Sequence, residues 1–157
     1  MANAICPEPA GTGSIPPKAQ AEALVLQGLK DIENGFLDQA QSCLDQALEA
    51  APNMPDVHFG LGLLAEESED SGLARHHYQQ ATEHDPRHAQ SHINLGLLLK
   101  LAGDLGQAEG HFRAAISSDP ALPEAQVNLA NLLQQTGRAS EAEAAYRQAL
   151  TLEPALA

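Results

Sequence analysis

Aromatic and basic residues are both scarce in this chain of 157 residues. It has no tryptophan, and aromatic side chains make up only 3% of it, so a hydrophobic core must be built mainly from leucine and alanine, as in helical repeats. Eight lysines and arginines stand against 21 acidic residues, which gives a net charge of −13. Phosphate binding needs clustered lysine and arginine, so the composition argues against nucleic acids and anionic membranes as partners. It mildly favours a basic partner, although a high net charge also serves solubility alone.

Cysteines and targeting segments are equally sparse. The two cysteines, Cys6 and Cys43, show no framework spacing, so their placement gives no indication of an oxidising compartment. Residues 1–20 have neither a basic start nor an apolar run, unlike a secretory signal. No run approaches the roughly 18 apolar residues of a membrane span. We therefore expect a cytoplasmic protein with a flexible tail over residues 1–16 and a folded domain over residues 17–157.

Proline recurs with a period of 34 residues, which predicts a solenoid of helix–turn–helix repeats. The prolines are Pro52, Pro86, Pro120 and Pro154. They divide the chain into repeats 21–54, 55–88, 89–122 and 123–156. Small residues recur at the eighth, twentieth and twenty-seventh places, where two helices must approach closely. They are Gly28, Gly62, Gly96 and Ala130; Ala40, Ala74, Ala108 and Ala142; and Ala47, Ala81, Ala115 and Ala149. One large apolar side chain per repeat fills the space that remains: Leu44, Tyr78, Phe112 and Tyr146.

Turn signals divide three of the four repeats near their middle. They are Asn34–Gly35, Gly103–Asp104 and Thr136–Gly137. The second repeat lacks this glycine and has Ser71–Gly72 three residues later, so we expect a longer first helix or a different turn there. Pro55 and Pro123 stand where a following helix begins, a position that tolerates proline.

Together these residues resemble the tetratricopeptide repeat family over roughly residues 21–154. The family's early tryptophan is replaced in this sequence by Leu24, His58, His92 and Gln126. Gln27 and Asp31 are polar at places that are usually apolar, which suits a first repeat whose outer face is open to water. The resemblance implies an all-α, right-handed superhelical solenoid of four helix–turn–helix repeats, whose first helices line a concave groove.

The groove implied by this resemblance is lined by residues at the fifth, sixth and ninth places of each repeat. Apolar residues four apart share one helix face and would form a stripe. The candidates are Val25, Leu29, Phe59, Leu63, Ile93, Leu97 and Val127, with Asn94, Asn128 and Asn131 as polar members. One alternative is that the apolar side chains only pack between neighbouring helices. The other is that they receive an apolar or amphipathic segment, with Phe59 as its main anchor.

The asparagines leave a similar choice. A side-chain amide both donates and accepts hydrogen bonds, so Asn94 and Asn128 suit pairing with a peptide backbone of any sequence. They resemble the asparagine ladder in the repeats of protein O-linked N-acetylglucosamine transferases, although the first two repeats lack it. The alternative is that both amides simply face solvent.

Several chemical functions are not predicted by this sequence. The family's clamp for chaperone tails needs several cations, whereas Lys100 is the only one that we place in the groove. Glu33, Glu66 and Glu67 instead favour a ligand with basic flanks. Equivalent histidines lie about one repeat apart, too far to share a metal ion. We find no phosphate-binding loop and no nucleophile elbow, so we expect no metal, no cofactor and no catalysis by the chain itself.

We therefore predict a protein–protein interaction module, an adaptor that holds a peptide or helix of a partner protein in the groove. Two alternatives stay open. The chain is the substrate-recruiting N-terminal part of a larger glycosyltransferase-like enzyme, or it is a scaffold that self-assembles through its C-terminal end, since no polar capping helix follows the last repeat.

Overall fold

Eight α-helices follow one another in the computed structural model, which describes residues 16–153. Their bounds are α1 Pro17–Glu33, α2 Leu37–Ala50, α3 Pro55–Glu67, α4 Ser71–His84, α5 Ala89–Leu101, α6 Leu105–Ser118, α7 Pro123–Gln135 and α8 Ala139–Leu152. No β-strand occurs within the described residues, so the predicted all-α fold is confirmed. Residues 1–15 of the predicted tail 1–16, which include Cys6, and Pro154 lie outside the described residues.

The helices form two halves of the chain, Met1–His84 and Asp85–Ala157. In the N-terminal half, α1 packs against α2 and α3, and α3 packs against α2 and α4. In the C-terminal half, α5 packs against α6 and α7, and α7 packs against α6 and α8. Each half therefore consists of two helix pairs whose first helices lie side by side.

The small residues of the repeat lie where helices approach most closely, as predicted. The large side chains of Leu44, Tyr78 and Phe112 are fully buried, and so are the alanines at the twentieth place of the first three repeats. A Cβ atom built on Gly28 would lie 2.9 Å from Leu44 Cγ, and one on Gly96 would lie 2.6 Å from Phe112 Cε1. Real Cβ atoms essentially never come this close to another heavy atom. Glycine at the eighth place thus makes room for the large residue of the second helix.

All four helix pairs are joined by the same turn, including the pair that lacks the glycine. Gly35, Gly103 and Gly137 have φ angles of 76°, 85° and 78°, and Glu69 takes the equivalent place with φ 59°. The N–H of the following residue, Asp70 in the second pair, donates to the carbonyl five residues back, which is the Schellman motif. The expectation of a longer helix or a different turn is therefore wrong. Helix α3 has 13 residues, like α5 and α7.

Glu69→Gly is expected to stabilise the protein by about 0.5–1 kcal/mol, because a left-handed conformation is unfavourable for a residue with a Cβ atom. Glu67→Gly is the matched control. It removes the same side chain from the last residue of α3, where glycine costs about 0.5–1 kcal/mol. Denaturant unfolding of both variants measures the difference, and a Glu69→Gly variant no more stable than the parent would contradict the strain at this turn.

Two polar residues of the first helix pair are not open to water as the sequence suggested. Asp31 is only 5% exposed, and its Oδ1 accepts a 2.9 Å hydrogen bond from Nε2 of the half-buried Gln27. The prediction of a face open to water is therefore wrong for Asp31, because Gln27, one helical turn away, donates a hydrogen bond to its carboxylate inside the fold. Cys43 is also buried, and its sulfur is disulfide-bonded.

Candidate functional site

The N-terminal half carries an apolar face on its two first helices, α1 and α3. It consists of Leu26, Leu29, Phe59 and Leu63, and we call it the N-terminal apolar face. The Leu26 side chain is 69% exposed, and the other three are half-buried. The Phe59 ring packs against the Tyr78 ring of α4, and the ring centroids are 6.0 Å apart. Val25, a predicted member, lies in the hydrophobic core instead, as the packing alternative describes.

The corresponding face of the C-terminal half is more polar. Asn94, Leu97, Val127 and Asn128 are half-buried on α5 and α7, whereas Ile93 is fully buried in the core beside Ala115 and Ala125. Asn128 makes no hydrogen bond within residues 16–153, which leaves its amide available to a ligand.

The Asn131 amide of the C-terminal half has a partner on α8. The exposed Asn131 accepts a 2.5 Å hydrogen bond at Oδ1 from the Tyr146 hydroxyl group of α8, which fixes the orientation of its side chain. The predicted residues thus gather into two sets, one in each half. A groove that continues through all four repeats stays a prediction.

The two faces differ in charge at the C-terminal ends of their helices. In the N-terminal half, Glu33 ends α1 and Glu66 and Glu67 end α3; we call these three residues the acidic ends. The Tyr78 hydroxyl group donates a 2.5 Å hydrogen bond to Glu66 Oε2 and so holds that carboxylate in place. The same places in α5 and α7 carry no acid: they are Lys100, Leu101, Gln134 and Gln135.

Arginines of the C-terminal half are engaged with its own glutamates on the second helices. Arg138 contacts Glu109 Oε2 at 2.8 Å and Glu141 Oε2 at 2.7 Å, and Arg113 contacts Glu109 Oε1 at 2.8 Å. Hydrogen bonds from Arg113 and then Arg138 hold the pKa of Glu109 below 4.5, and Arg138 does the same for Glu141. These ion pairs join α6 to the N-terminal part of α8. The arginines do not form the cation clamp that binds chaperone tails.

Sequence reasoning missed a pair of facing histidines in the second repeat. His58 Nε2 lies 2.9 Å from the Pro52 carbonyl oxygen, and His58 Nδ1 lies 3.4 Å from Nδ1 of His77. Because a carbonyl can only accept, Nε2 of His58 carries the hydrogen, and its Nδ1 accepts from His77. The pair therefore ties the loop after α2 and helix α4 to α3.

The third repeat contains the same pair 34 residues later. His92 Nε2 lies 3.0 Å from the Pro86 carbonyl oxygen, and His92 Nδ1 lies 3.0 Å from His111 Nδ1. In both repeats the two histidines are 19 residues apart, and this recurring separation is the sequence pattern that indicates the pairs. Within residues 16–153 no group of three or more potential ligands is placed to hold a metal ion.

Two neighbouring cavities of about 280 and 200 Å³ lie between α6, α7 and α8. Both are lined by Arg113, Gln126, Leu129 and Gln148. Both cavities are lined by residues other than the predicted ones.

Among the described helices, none is long and apolar enough to cross a membrane.

Solved structures of other repeat proteins resemble the chain. PilF of Pseudomonas aeruginosa matches with a TM-score of 0.81 and 24% identity over 88% of this chain and 63% of PilF. MamA matches with a TM-score of 0.73 and 20% identity over 85% of this chain and 78% of MamA. YrrB, described as a tetratricopeptide repeat protein with an unusual peptide-binding site, matches with a TM-score of 0.67 and 22% identity over 85% of this chain and 69% of YrrB.

These likenesses show the fold alone, because the identities are low, and the chain spans only 63% of the length of PilF. Among curated proteins no relative matches the chain. Family models described as tetratricopeptide repeat match residues 25–71, 64–123 and 99–155, which confirms the resemblance seen in the sequence. The chain belongs to the tetratricopeptide repeat family.

Proposed function

We propose that the chain is an adaptor that binds a peptide segment of a partner protein on the faces formed by its first helices. The observation that carries the proposal is the N-terminal apolar face. Leu26 is 69% exposed there, beside three half-buried apolar side chains. Exposed apolar side chains gathered on one surface commonly mark an interaction site, and aromatic residues tend to dominate its binding energy.

The C-terminal half supports the proposal through its amides. Asn128 is half-buried on α7, where it offers a donor and an acceptor to a peptide backbone. Tyr146 orients the neighbouring Asn131 amide by its 2.5 Å hydrogen bond, which lowers the entropy cost of using it. YrrB, a protein of the same fold, is described as having an unusual peptide-binding site, which supports peptide binding by a protein of this fold.

The test is peptide binding by Phe59→Ala with Phe36→Ala as the matched control. Phe36 is 53% exposed and precedes α2, so its loss removes an exposed phenylalanine without touching the N-terminal apolar face. Peptides selected from a displayed random library against the parent protein are labelled, and their Kd values are measured by fluorescence anisotropy. We expect Phe59→Ala to weaken binding about tenfold and Phe36→Ala to leave it unchanged. A library that yields no binder, or equal Kd values for the two variants, would contradict the proposal.

End-to-end self-assembly keeps one supporting observation. Leu150 and Leu152 of α8 are 36% and 40% exposed, and a cavity of about 370 Å³ lies beside Leu150. Light scattering coupled to size exclusion separates this alternative from the adaptor. A mass that rises with concentration in the parent and stays at the monomer value in Leu150→Glu would favour the scaffold.

A further inference from the structure

Negative charge is concentrated in the half that carries the apolar face. Residues 1–84 contain 13 acidic and 3 basic residues, whereas residues 85–157 contain 8 and 5. In the C-terminal half, three arginines form ion pairs with neighbouring glutamates. Among the described residues of the N-terminal half, the exposed Glu33 and Glu67 make no ion pair. The charge of the acidic ends is therefore not neutralised within the described part of the chain.

The acidic ends also lie where helices disfavour anions. The C-terminal end of a helix carries a partial negative charge, so a glutamate in the last turn is repelled and a cation is attracted. Helix α3 ends in Glu66 and Glu67 and has no basic residue in its last turn. Helix α1 ends in Glu33 and has only Lys30. An incoming cation would relieve this repulsion at two neighbouring helix ends at once.

We propose that the N-terminal apolar face binds an extended partner segment that carries a lysine or arginine a few residues from an apolar anchor residue. The proposal rests on the proposed function and adds the charge of the partner and its placement. The apolar anchor contacts Phe59 and Leu63. The basic residue lies between the ends of α1 and α3, where it meets Glu33, Glu66 and Glu67.

The spacing within the partner follows from helix geometry. Phe59 and Glu67 are eight residues apart on α3, which corresponds to about 12 Å along a helix that rises 1.5 Å per residue. An extended chain advances about 3.3 Å per residue, so the basic residue stands three to four positions from the anchor. The C-terminal half does not share this preference, because Lys100 and Gln134 occupy its corresponding places.

The test compares three versions of one selected peptide that differ only in the residues three and four positions from the anchor. These residues are lysine, glutamine or glutamate, and binding to the parent protein is measured by fluorescence anisotropy at low and at 0.5 M salt. We expect the lysine version to bind about five- to tenfold more tightly than the glutamine version, and the glutamate version to bind least tightly. The preference should shrink at high salt because exposed charges are screened. Equal binding of the three versions would overturn the inference.

Matched variants locate the effect. Glu33→Gln with Glu67→Gln neutralises two exposed acids at the ends of α1 and α3 and leaves the carboxylate bound to Tyr78 in place. Glu49→Gln with Glu83→Gln makes the same charge change in the last turns of α2 and α4. We expect only the first variant to lose the preference for lysine, with its affinity for the glutamine version unchanged. Equal loss in both variants would show that the general field of the protein attracts the peptide, and would overturn the inference.

The glutamine version separates this inference from the proposed function. If Phe59→Ala weakens its binding while the three versions bind equally, the adaptor function stands and the preference for a basic partner is wrong. If Phe59→Ala changes the binding of no version, the face does not bind peptides and both proposals fail.

Discussion

Gly96→Ala is expected to destabilise the protein by about 2–3 kcal/mol, although alanine is the better helix former. The added Cβ atom would lie 2.6 Å from Cε1 and 2.9 Å from Cδ1 of Phe112. The Phe112 ring is fully buried between helices, so it cannot move aside without opening other contacts. Either α5 separates from α6 or the ring leaves its preferred rotamer, and both changes cost free energy.

Gly110→Ala is the matched control for this prediction. Gly110 lies in the middle of α6, and a Cβ atom there would meet nothing within 4 Å. The same substitution is therefore expected to stabilise the protein by about 0.5–1 kcal/mol through the helix preference of alanine. Urea unfolding followed by circular dichroism gives both values. If the two variants shift the midpoint in the same direction, close packing is not the reason for glycine at the eighth place of the repeat.

The contrast between these two glycines shows why the sequence predicted the fold so well. Gly96 recurs with the 34-residue period, and a residue that is small in every repeat has to serve a contact that every repeat makes. Gly110 does not recur, and nothing packs on it. The 34-residue period thus distinguishes a glycine that packing requires from one that no contact requires.

The details that the sequence did not predict depend on contacts across helices. Glu69 adopts a left-handed conformation because the helices on both sides fix the turn, which no local turn signal indicates. Val25 and Ile93 share the spacing of Phe59, yet they are buried and Phe59 is partly exposed. One helix face borders both the core and the surface, so spacing alone does not decide which side a residue joins. The histidine pairs were not predicted, because a comparison between repeats shows equivalent positions and not the contacts within a single repeat.

Because of these histidine pairs, we expect the protein to become less stable as the pH falls from 6.5 to 5. In the neutral pair, His58 donates from Nε2 to the Pro52 carbonyl oxygen and accepts at Nδ1 from His77. When both rings are protonated, two N–H groups and two positive charges face each other. Among residues 16–153, the charges that act on the pair come from His84 and His76, which also disfavour its protonation.

The pKa shifts determine the direction of the pH dependence. Burial, and then the charges of His58 and His76, lower the pKa of His77 to about 4. Burial lowers the pKa of His58, opposed by the Pro52 carbonyl, and burial followed by the charge of His92 lowers that of His111. In the unfolded chain a histidine titrates near 6.5. Between pH 6.5 and 4 the unfolded state therefore binds more protons, and the free energy of unfolding falls as the pH falls.

The stabilisation is fully present above pH 6.5 and is lost progressively toward pH 4. We expect a loss of about 1–2 kcal/mol by pH 5, a modest value because His77 and His111 are partly exposed and water screens their charges. The pKa values of Glu109 and Glu141 are lowered from 4.5, so these ion pairs weaken only at lower pH and do not account for the change. Urea unfolding at pH 7.5, 6.5, 5.8 and 5.0 measures the loss.

Variants copied from the fourth repeat assign the effect to the pairs. That repeat has Gln126 and Ala145 at the two places, so His58→Gln with His77→Ala introduces residues that the fold already accommodates. We expect this variant to lose about half of the pH dependence, since the pair of the third repeat remains. His76→Gln, which removes an exposed histidine outside the pair, should keep most of it. An unchanged slope in the double variant would mean that the facing rings do not set the response to acid, and that their contact serves only to join α3 to α4.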